Sequence, residues 1–393
     1  MAAEAIPLNA WRSRLQIGSK GERKTMYNLV LYVRNLSGIG PELKFNELTS
    51  QIEWKGRPLR EADYVDIQML IEHAGFLPSK SDVPAAVNRV ALDNAYNPIT
   101  DYLDRLAWDG KPRLTRWMQS LLGANDTEFV RAIGPKVLIS AVARARDPGC
   151  KVDTVLVLEG DQGIRKSSAI AALFGEDYTA ESVSLFDQHN KMVMQMMGAW
   201  VVELAEFVAF FKKDSASVKG LISMRSDKVV LPYAKIATVH PRRCVFFGTI
   251  NPEDFGYLTD STGNRRYWPV SVTKIDLAGI RKWRDQLWAE AQQLYRQGER
   301  WWLEKEEEAL ATAQTAARQE QDAWEPLLGE KLSGVPEVTP TAAMRLLGIP
   351  TDRMDRKAQM RVATVLKALG YKRTTPKDEN RKTYIAWRKD VSA

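Results

Sequence analysis

The sequence predicts an α/β fold: a central parallel sheet, a small α+β region before it, and a basic helix-and-hairpin module after it. Three observations predict this. From Asp153 onward, short β-branched apolar runs alternate with helical segments, the pattern of strands joined by crossover helices. The first run, Val155-Leu-Val-Leu-Glu159, enters a glycine loop, Gly160-Asp161-Gln162-Gly163-Ile164-Arg165, and then a helix opening on Lys166-Ser167-Ser168. Residues 341–393 hold thirteen Lys/Arg against five Asp/Glu, while the whole chain carries +7, so the rest is close to neutral.

At 393 residues the chain is long enough for two or three domains, each with its own core. Charged residues at 27% and hydrophobic ones at 45% are ordinary for a globular protein. No apolar run has the length of a membrane span, so no membrane partner is expected. The opening Met1-Ala-Ala-Glu-Ala-Ile-Pro7 lacks a basic start followed by an apolar core, so a signal peptide is not expected. Cys150 and Cys244 are the only cysteines, which points to a reducing cytoplasm and excludes a disulfide framework. His73, His189 and His240 are too scattered for a zinc cluster.

Taken in order, residues 1–92 read as an accessory region. It holds an amphipathic segment over Met26–Leu36, short strands over Leu43–Trp54, and helices over Glu61–His73 and Ala85–Asn94. Residues 93–302 read as a helical collar followed by the α/β core. The collar has helices over Thr100–Leu106, Leu114–Leu122 and Phe129–Ala145, with an Asn97-Pro98 turn before them and Pro148-Gly149 closing them. The core has strands over Val155–Leu158, Trp200–Leu204 and Cys244–Thr249, a hairpin of Lys228–Tyr233 with Ala237–His240, and an amphipathic helix over Leu277–Arg296. A long acidic helix over Leu303–Trp324 is expected to act as a spacer within residues 303–335. Residues 336–393 read as helix (Thr341–Leu347), turn, helix (Asp355–Leu369) and three strands (Tyr371–Thr374, Pro376–Asn380, Arg381–Trp387), a winged-helix pattern.

Strand, glycine loop and Lys-Ser helix start are the layout of a P-loop. Successive backbone N–H groups then form an anion cradle at a helix N-terminus; Lys166 reaches the β/γ-phosphates and the Ser167 hydroxyl ligates Mg2+. Arg165 stands where that pattern normally has glycine. The plainer alternative is a glycine-rich turn of the kind that joins strands to helices in many α/β proteins.

Five further groupings carry chemistry. Glu203 ends a run of hydrophobic residues and Glu206 follows it. The first suits a metal-holding acid and the second a catalytic base, against the alternative of two surface acids on a solvated helix. Asn251 ends an aromatic strand and suits a side chain that orients water against the γ-phosphate, or else an ordinary Asn-Pro turn. Arg265 and Arg266 follow a glycine turn, as surface charge or as fingers for a neighbouring subunit's nucleotide. Tyr233, Lys235 and His240 lie on the hairpin, which suits a single-stranded backbone or a solvated edge that uses lysine against aggregation. In the basic module, Arg353, Arg356, Lys357 and Arg361 on the helix side and Lys372, Arg373, Lys377, Arg381 and Lys382 on the wing suit duplex DNA.

The order of these motifs resembles superfamily 3 helicases of the AAA+ type. More closely, the chain resembles the virulence-associated protein E family of phages and mobile elements. The phrases that carry the likeness are Tyr96-Asn-Pro-Ile-Thr-Asp-Tyr-Leu103, Ala107-Trp-Asp-Gly-Lys-Pro-Arg113, Asp147-Pro-Gly-Cys-Lys-Val-Asp153, the loop itself, Trp200-Val-Val-Glu-Leu-Ala-Glu206, Thr262-Gly-Asn-Arg-Arg266 and Arg284-Asp-Gln-Leu-Trp-Ala-Glu-Ala291. The resemblance implies an AAA+ ATPase core using ATP and Mg2+, working as a homo-oligomeric ring, by expectation a hexamer, in the cytoplasm of a bacterial host. Glu203 and Glu206 would be the Walker B acids, Asn251 the sensor, Arg265 or Arg266 the trans-acting finger, and Lys235 a residue of the DNA-tracking hairpin in the ring channel. A primase domain often precedes the ATPase in such relatives. Residues 1–92 look too short for one, so a separate primase is an expected partner. The activity implied is DNA unwinding in replication; an ATP-switched initiator or helicase loader is the alternative.

Overall fold

The computed structural model describes residues 10–19, 21–181, 183, 188–204, 217–230, 236–251, 258, 264–318, 322–377 and 383–389. Its centre is a parallel sheet of β1 (Val155–Glu159), β2 (Thr179–Ala180), β3 (Val201–Leu204), β4 (Val245–Ile250) and β5 (Tyr267–Ser271). The spatial order is β5-β1-β4-β3-β2. Side chains alternate across β1, so Leu156 and Leu158 join one apolar cluster while Val155 and Val157 join the other. A strand covered on both faces needs an unbroken apolar run, which is what the sequence supplies. One face is covered by α1 (Glu128–Arg146) and α2 (Lys166–Phe174), the other by α3 (His189–Met196). A further helix, α4 (Leu277–Arg296), packs on the same face as α1 and α2.

Strands β1, β3 and β4 fall within one residue of their expected ends. Strand β5 was not expected, and Pro269 is the reason. Proline donates nothing to a ladder and is confined to edges; β5 is the sheet's edge, paired to β1. The hairpin is Ser226–Val229 with Thr238–Pro241, Lys228 opposite Val239, so its first strand starts and stops earlier than expected. Residues 231–235 of the expected hairpin lie outside the described residues. The Asn97-Pro98 pair caps a helix rather than forming a free turn: Ile99 N donates to Asn97 Oδ1 at 3.0 Å, and Pro98 opens Pro98–Asp104.

The acidic helix is also corrected. It is α5 (Lys305–Ala316), and Trp324–Lys331 is a separate helix. Ala311 of α5 is buried in the main core, whereas Leu328 of the second helix is buried with Val362, Leu366 and Trp387 of the C-terminal module. Helix propensity runs through the whole segment, and packing on two different cores divides it. The C-terminal module consists of Pro340–Leu346, α6 (Arg356–Ala368) and a three-stranded sheet in the order Glu337–Val338, Ala386–Arg388, Lys372–Thr374. The first of these strands was not expected. The N-terminal region has its own core around Tyr32, Trp54 and Ile67, beside a four-stranded sheet.

An aromatic cluster fixes α2 on the sheet. Phe174 lies 5.2 Å from Trp200, 5.2 Å from Phe247 and 5.0 Å from Trp288, between ring centroids. The indoles also donate to backbone: Trp288 Nε1 to Leu173 O at 2.8 Å and Trp200 Nε1 to Ala141 O at 2.9 Å. Trp288→Ala opens a cavity under the last turn of α2, a change that typically costs about 3–5 kcal/mol. A denaturant midpoint shifted by less than about 1 kcal/mol equivalent would show that α2 is held elsewhere.

Candidate active site

Strand β1 ends at Glu159, and the loop over residues 160–165 turns the chain into α2 at Lys166. Gly160 is required by close approach: a Cβ there would meet Val272 O at 2.5 Å. Gly163 sits at φ +84°, a left-handed conformation that favours glycine. Arg165 is left-handed too, at φ 74° and ψ 37°. This is the physical content of the departure seen in sequence: a side chain occupies a turn geometry suited to glycine. Asp161, Gln162, Gly163 and Arg165 are exposed, with Ile164 half-buried between them.

Lys166 turns back over this loop. Its Nζ donates to Gly160 O at 2.6 Å, Asp161 O at 3.0 Å and Asn251 Oδ1 at 3.1 Å. Burial pushes its pKa below the usual lysine value, while Asp161 and Glu203 pull it back up. Asn251 follows the last residue of β4, the strand next to β1, which places its amide over the lysine. Glu203, on the far side of β4, is 1% exposed. Its Oε1 accepts from Ser167 Oγ at 2.7 Å and Thr249 Oγ1 at 2.9 Å. Ser168 is exposed on the first turn of the same helix.

Lys166, Ser167, Glu203 and Asn251 therefore converge at the C-terminal edge of the central strands, the usual ligand crevice of open α/β sheets. A helix N-terminus, a buried ammonium and a buried carboxylate in reach of hydroxyls suit an anion together with a cation. Among the described residues no three His, Cys, Asp or Glu side chains form a metal cage. A hard cation held by one carboxylate, one hydroxyl and ligand phosphates is the arrangement that Mg2+ accepts.

Two participants escaped the sequence reading. Thr249 is one; it lies two residues before Asn251, and strand alternation places both on one face, which was the available signal. The other is an ion pair behind the loop. Arg318 donates to Glu159 at 2.5 and 2.6 Å, and Ser271 Oγ donates to Glu159 Oε2 at 3.1 Å. It joins the residue before Gly160 to the end of α5 and to β5.

Other expected residues lie elsewhere. Arg265 and Arg266 precede β5, whose first residue pairs with Val155, so they stand at the opposite edge of the sheet from Lys166. His240 sits at the hairpin base with Nε2 2.7 Å from Thr238 Oγ1. Of the two arginines that follow the hairpin, Arg242 is buried on Asp227 at 2.6 and 2.7 Å, and Arg243 reaches Glu47 at 3.1 Å. Arg361 pairs with Asp322 at 2.9 Å and lies 3.8 Å over the Trp324 ring, holding the preceding helix to α6. Arg353, Arg356, Lys357, Lys372, Arg373 and Lys377 are exposed. Glu206, Tyr233, Lys235, Arg381 and Lys382 lie outside the described residues.

Fold and site define an α/β domain with a lysine–serine–carboxylate cluster at the carboxyl edge of a five-stranded parallel sheet. The Virulence-associated protein E-like domain family matches residues 103–320, more than half of the chain, and the chain belongs to that family. No curated protein matches it. Solved structures that resemble it include the A form apo structure of the NrS-1 C terminal region (305-718), at 10% identity and a TM-score of 0.47, covering 88% of this chain and 96% of that one. A second apo structure of the same NrS-1 region gives 10% identity and a TM-score of 0.44, with 88% and 95% covered.

The left-handed Arg165 yields a test. A side chain in that conformation costs about 1–2 kcal/mol, partly offset by glycine's larger unfolded-state entropy. Arg165→Gly should raise stability by up to about 1 kcal/mol, read as a higher thermal midpoint. Arg165→Ala keeps the Cβ and should not. A drop with glycine would mean that the guanidinium itself holds the loop.

Proposed function

We propose that this chain is an ATP-hydrolysing DNA motor of the superfamily 3, AAA+ type, working as a ring in the replication of a phage or mobile element. One observation carries the reading: Ser167 and Thr249 both donate to the buried Glu203 carboxylate, one strand away from Lys166 on Asn251. In this reading the loop over residues 160–168 is a P-loop. Lys166 leaves its carbonyl partners for the β/γ-phosphates. Ser167 and Glu203 would hold Mg2+, which neutralises charge between the phosphate oxygens. Asn251 orients the attacking water. The water oxygen bonds to the γ-phosphorus, the bond to the bridging oxygen breaks to release ADP, and the proton passes to Glu206.

The sheet geometry supports a trans role for the arginines. A five-residue strand spans about 13 Å, more than an arginine side chain reaches, which favours a target other than the nucleotide of their own loop for Arg265 and Arg266. A neighbouring copy's nucleotide is the natural target, which makes a closed homo-oligomer the working form. DNA would be engaged by the hairpin and by the exposed cations of the C-terminal module, with strong salt dependence.

Mixing two inactive variants tests this. Lys166→Ala should lose hydrolysis with its fold intact, and Arg266→Ala or Arg265→Ala should lose up to about a thousandfold in turnover while still binding ATP. Mixed before ATP is added, the lysine and arginine variants should regain activity, because an intact loop then faces an intact arginine. Full turnover by a monomer, with both arginines dispensable, would remove the ring from the account.

A further inference from the structure

The edge of the sheet opposite the loop is hollowed by the ends of several elements. A cavity of about 400 Å3 lies there, its lining including Lys151, Arg265, Arg266, Trp268, Trp301 and Trp302 together with the carboxylates of Asp153 and Glu308. The volume is within the ordinary range for small-ligand pockets. Trp301 and Trp302 meet edge to face, with centroids 5.2 Å apart at 83°, and Trp301 is fixed by donating to Lys151 O at 2.9 Å. Trp302 is 48% exposed, which leaves much of its indole open to solvent.

The polar groups here are loosely held. Arg266 Nε stands 3.8 Å from Asp153 Oδ2, Arg265 Nη1 3.6 Å from Glu308 Oε1, and Lys151 Nζ 3.7 Å from Asp153 Oδ2. All three separations exceed hydrogen-bonding length. Two donors of residues that line the cavity, Arg266 Nε and Trp268 Nε1, are buried and hydrogen-bonded to nothing among the described residues. Orphaned buried donors are rare and costly in folded proteins, and two in one cavity call for a ligand that brings acceptors.

We propose that this cavity binds a nucleoside phosphate: the base stacks on Trp302, and the phosphate displaces the distant carboxylates from Arg265, Arg266 and Lys151. An aromatic platform beside arginines suits that chemistry, since every base offers a π-face and its edge offers acceptors. All the lining groups come from one chain, and Arg265 and Arg266 are the pair that the proposed ring turns toward a neighbour's nucleotide, so a phosphate bound here competes with that nucleotide for them. The nucleoside phosphate is a free nucleotide or one unit of a single DNA strand.

The test uses the full chain carrying Lys166→Ala, which removes the loop's phosphate-facing ammonium, with ADP and an oligothymidine as separate probes in equilibrium dialysis. Adding Trp302→Ala should weaken binding about tenfold or more, the effect of losing one base–aromatic stack. Arg266→Lys should weaken it as well. Trp302 is half-exposed, so its replacement should leave the circular dichroism unchanged. ADP binding that responds to Trp302→Ala identifies a free-nucleotide site; a response with the oligothymidine alone identifies a strand site. ADP retained in the Lys166→Ala chain but indifferent to Trp302→Ala and Arg266→Lys belongs to the loop and overturns the proposal. Indifference of both probes overturns it too.

Discussion

The constraint on which the rest depends is the burial of Glu203. A carboxylate taken out of water costs several kcal/mol unless it is paired or hydrogen-bonded. Here two hydroxyls donate to one oxygen, from Ser167 at the start of α2 and Thr249 near the end of β4. Both reach it in the observed strand order, with β4 between β1 and β3. The same order carries Asn251 to Lys166. The aromatic cluster then presses the far end of α2 against the sheet, so the helix is fixed at both ends.

The molecule separates its chemistry by strand direction. All five strands of the sheet are parallel, so their carboxyl ends gather Lys166, Ser167, Glu203 and Asn251 at one edge. Their amino ends gather Arg265, Arg266 and the tryptophan cavity at the other. The Glu159–Arg318 pair ties the first edge to the end of α5, while Glu308 of α5 faces Arg265 near the second. Helix α5 thus runs between the two edges as part of the core, not as a tether.

Much of this was legible in the sequence because it is local. The buried β1 run, the loop and the Lys-Ser helix start are contiguous, and Glu203 announces itself by ending a hydrophobic strand. What stayed hidden is tertiary. Pro269 masks β5, whose edge position tolerates it. Glu159 and Arg318 lie 159 residues apart, beyond any spacing rule. Charge counts show that the C-terminal module is basic, but they cannot show that Arg361 is engaged by Asp322 and Trp324.

In the proposed function, Ser167 and Glu203 would hold a divalent cation beside a nucleotide phosphate. The most direct measurement is a structure of the chain with Mn2+ and a non-hydrolysable ATP analogue, using the anomalous signal of the metal. The account predicts a peak between Ser167 Oγ and the Glu203 carboxylate, with Lys166 Nζ moved from Gly160 O onto phosphate. A nucleotide bound elsewhere, or metal density away from both side chains with the Ser167–Glu203 bond intact, would contradict it.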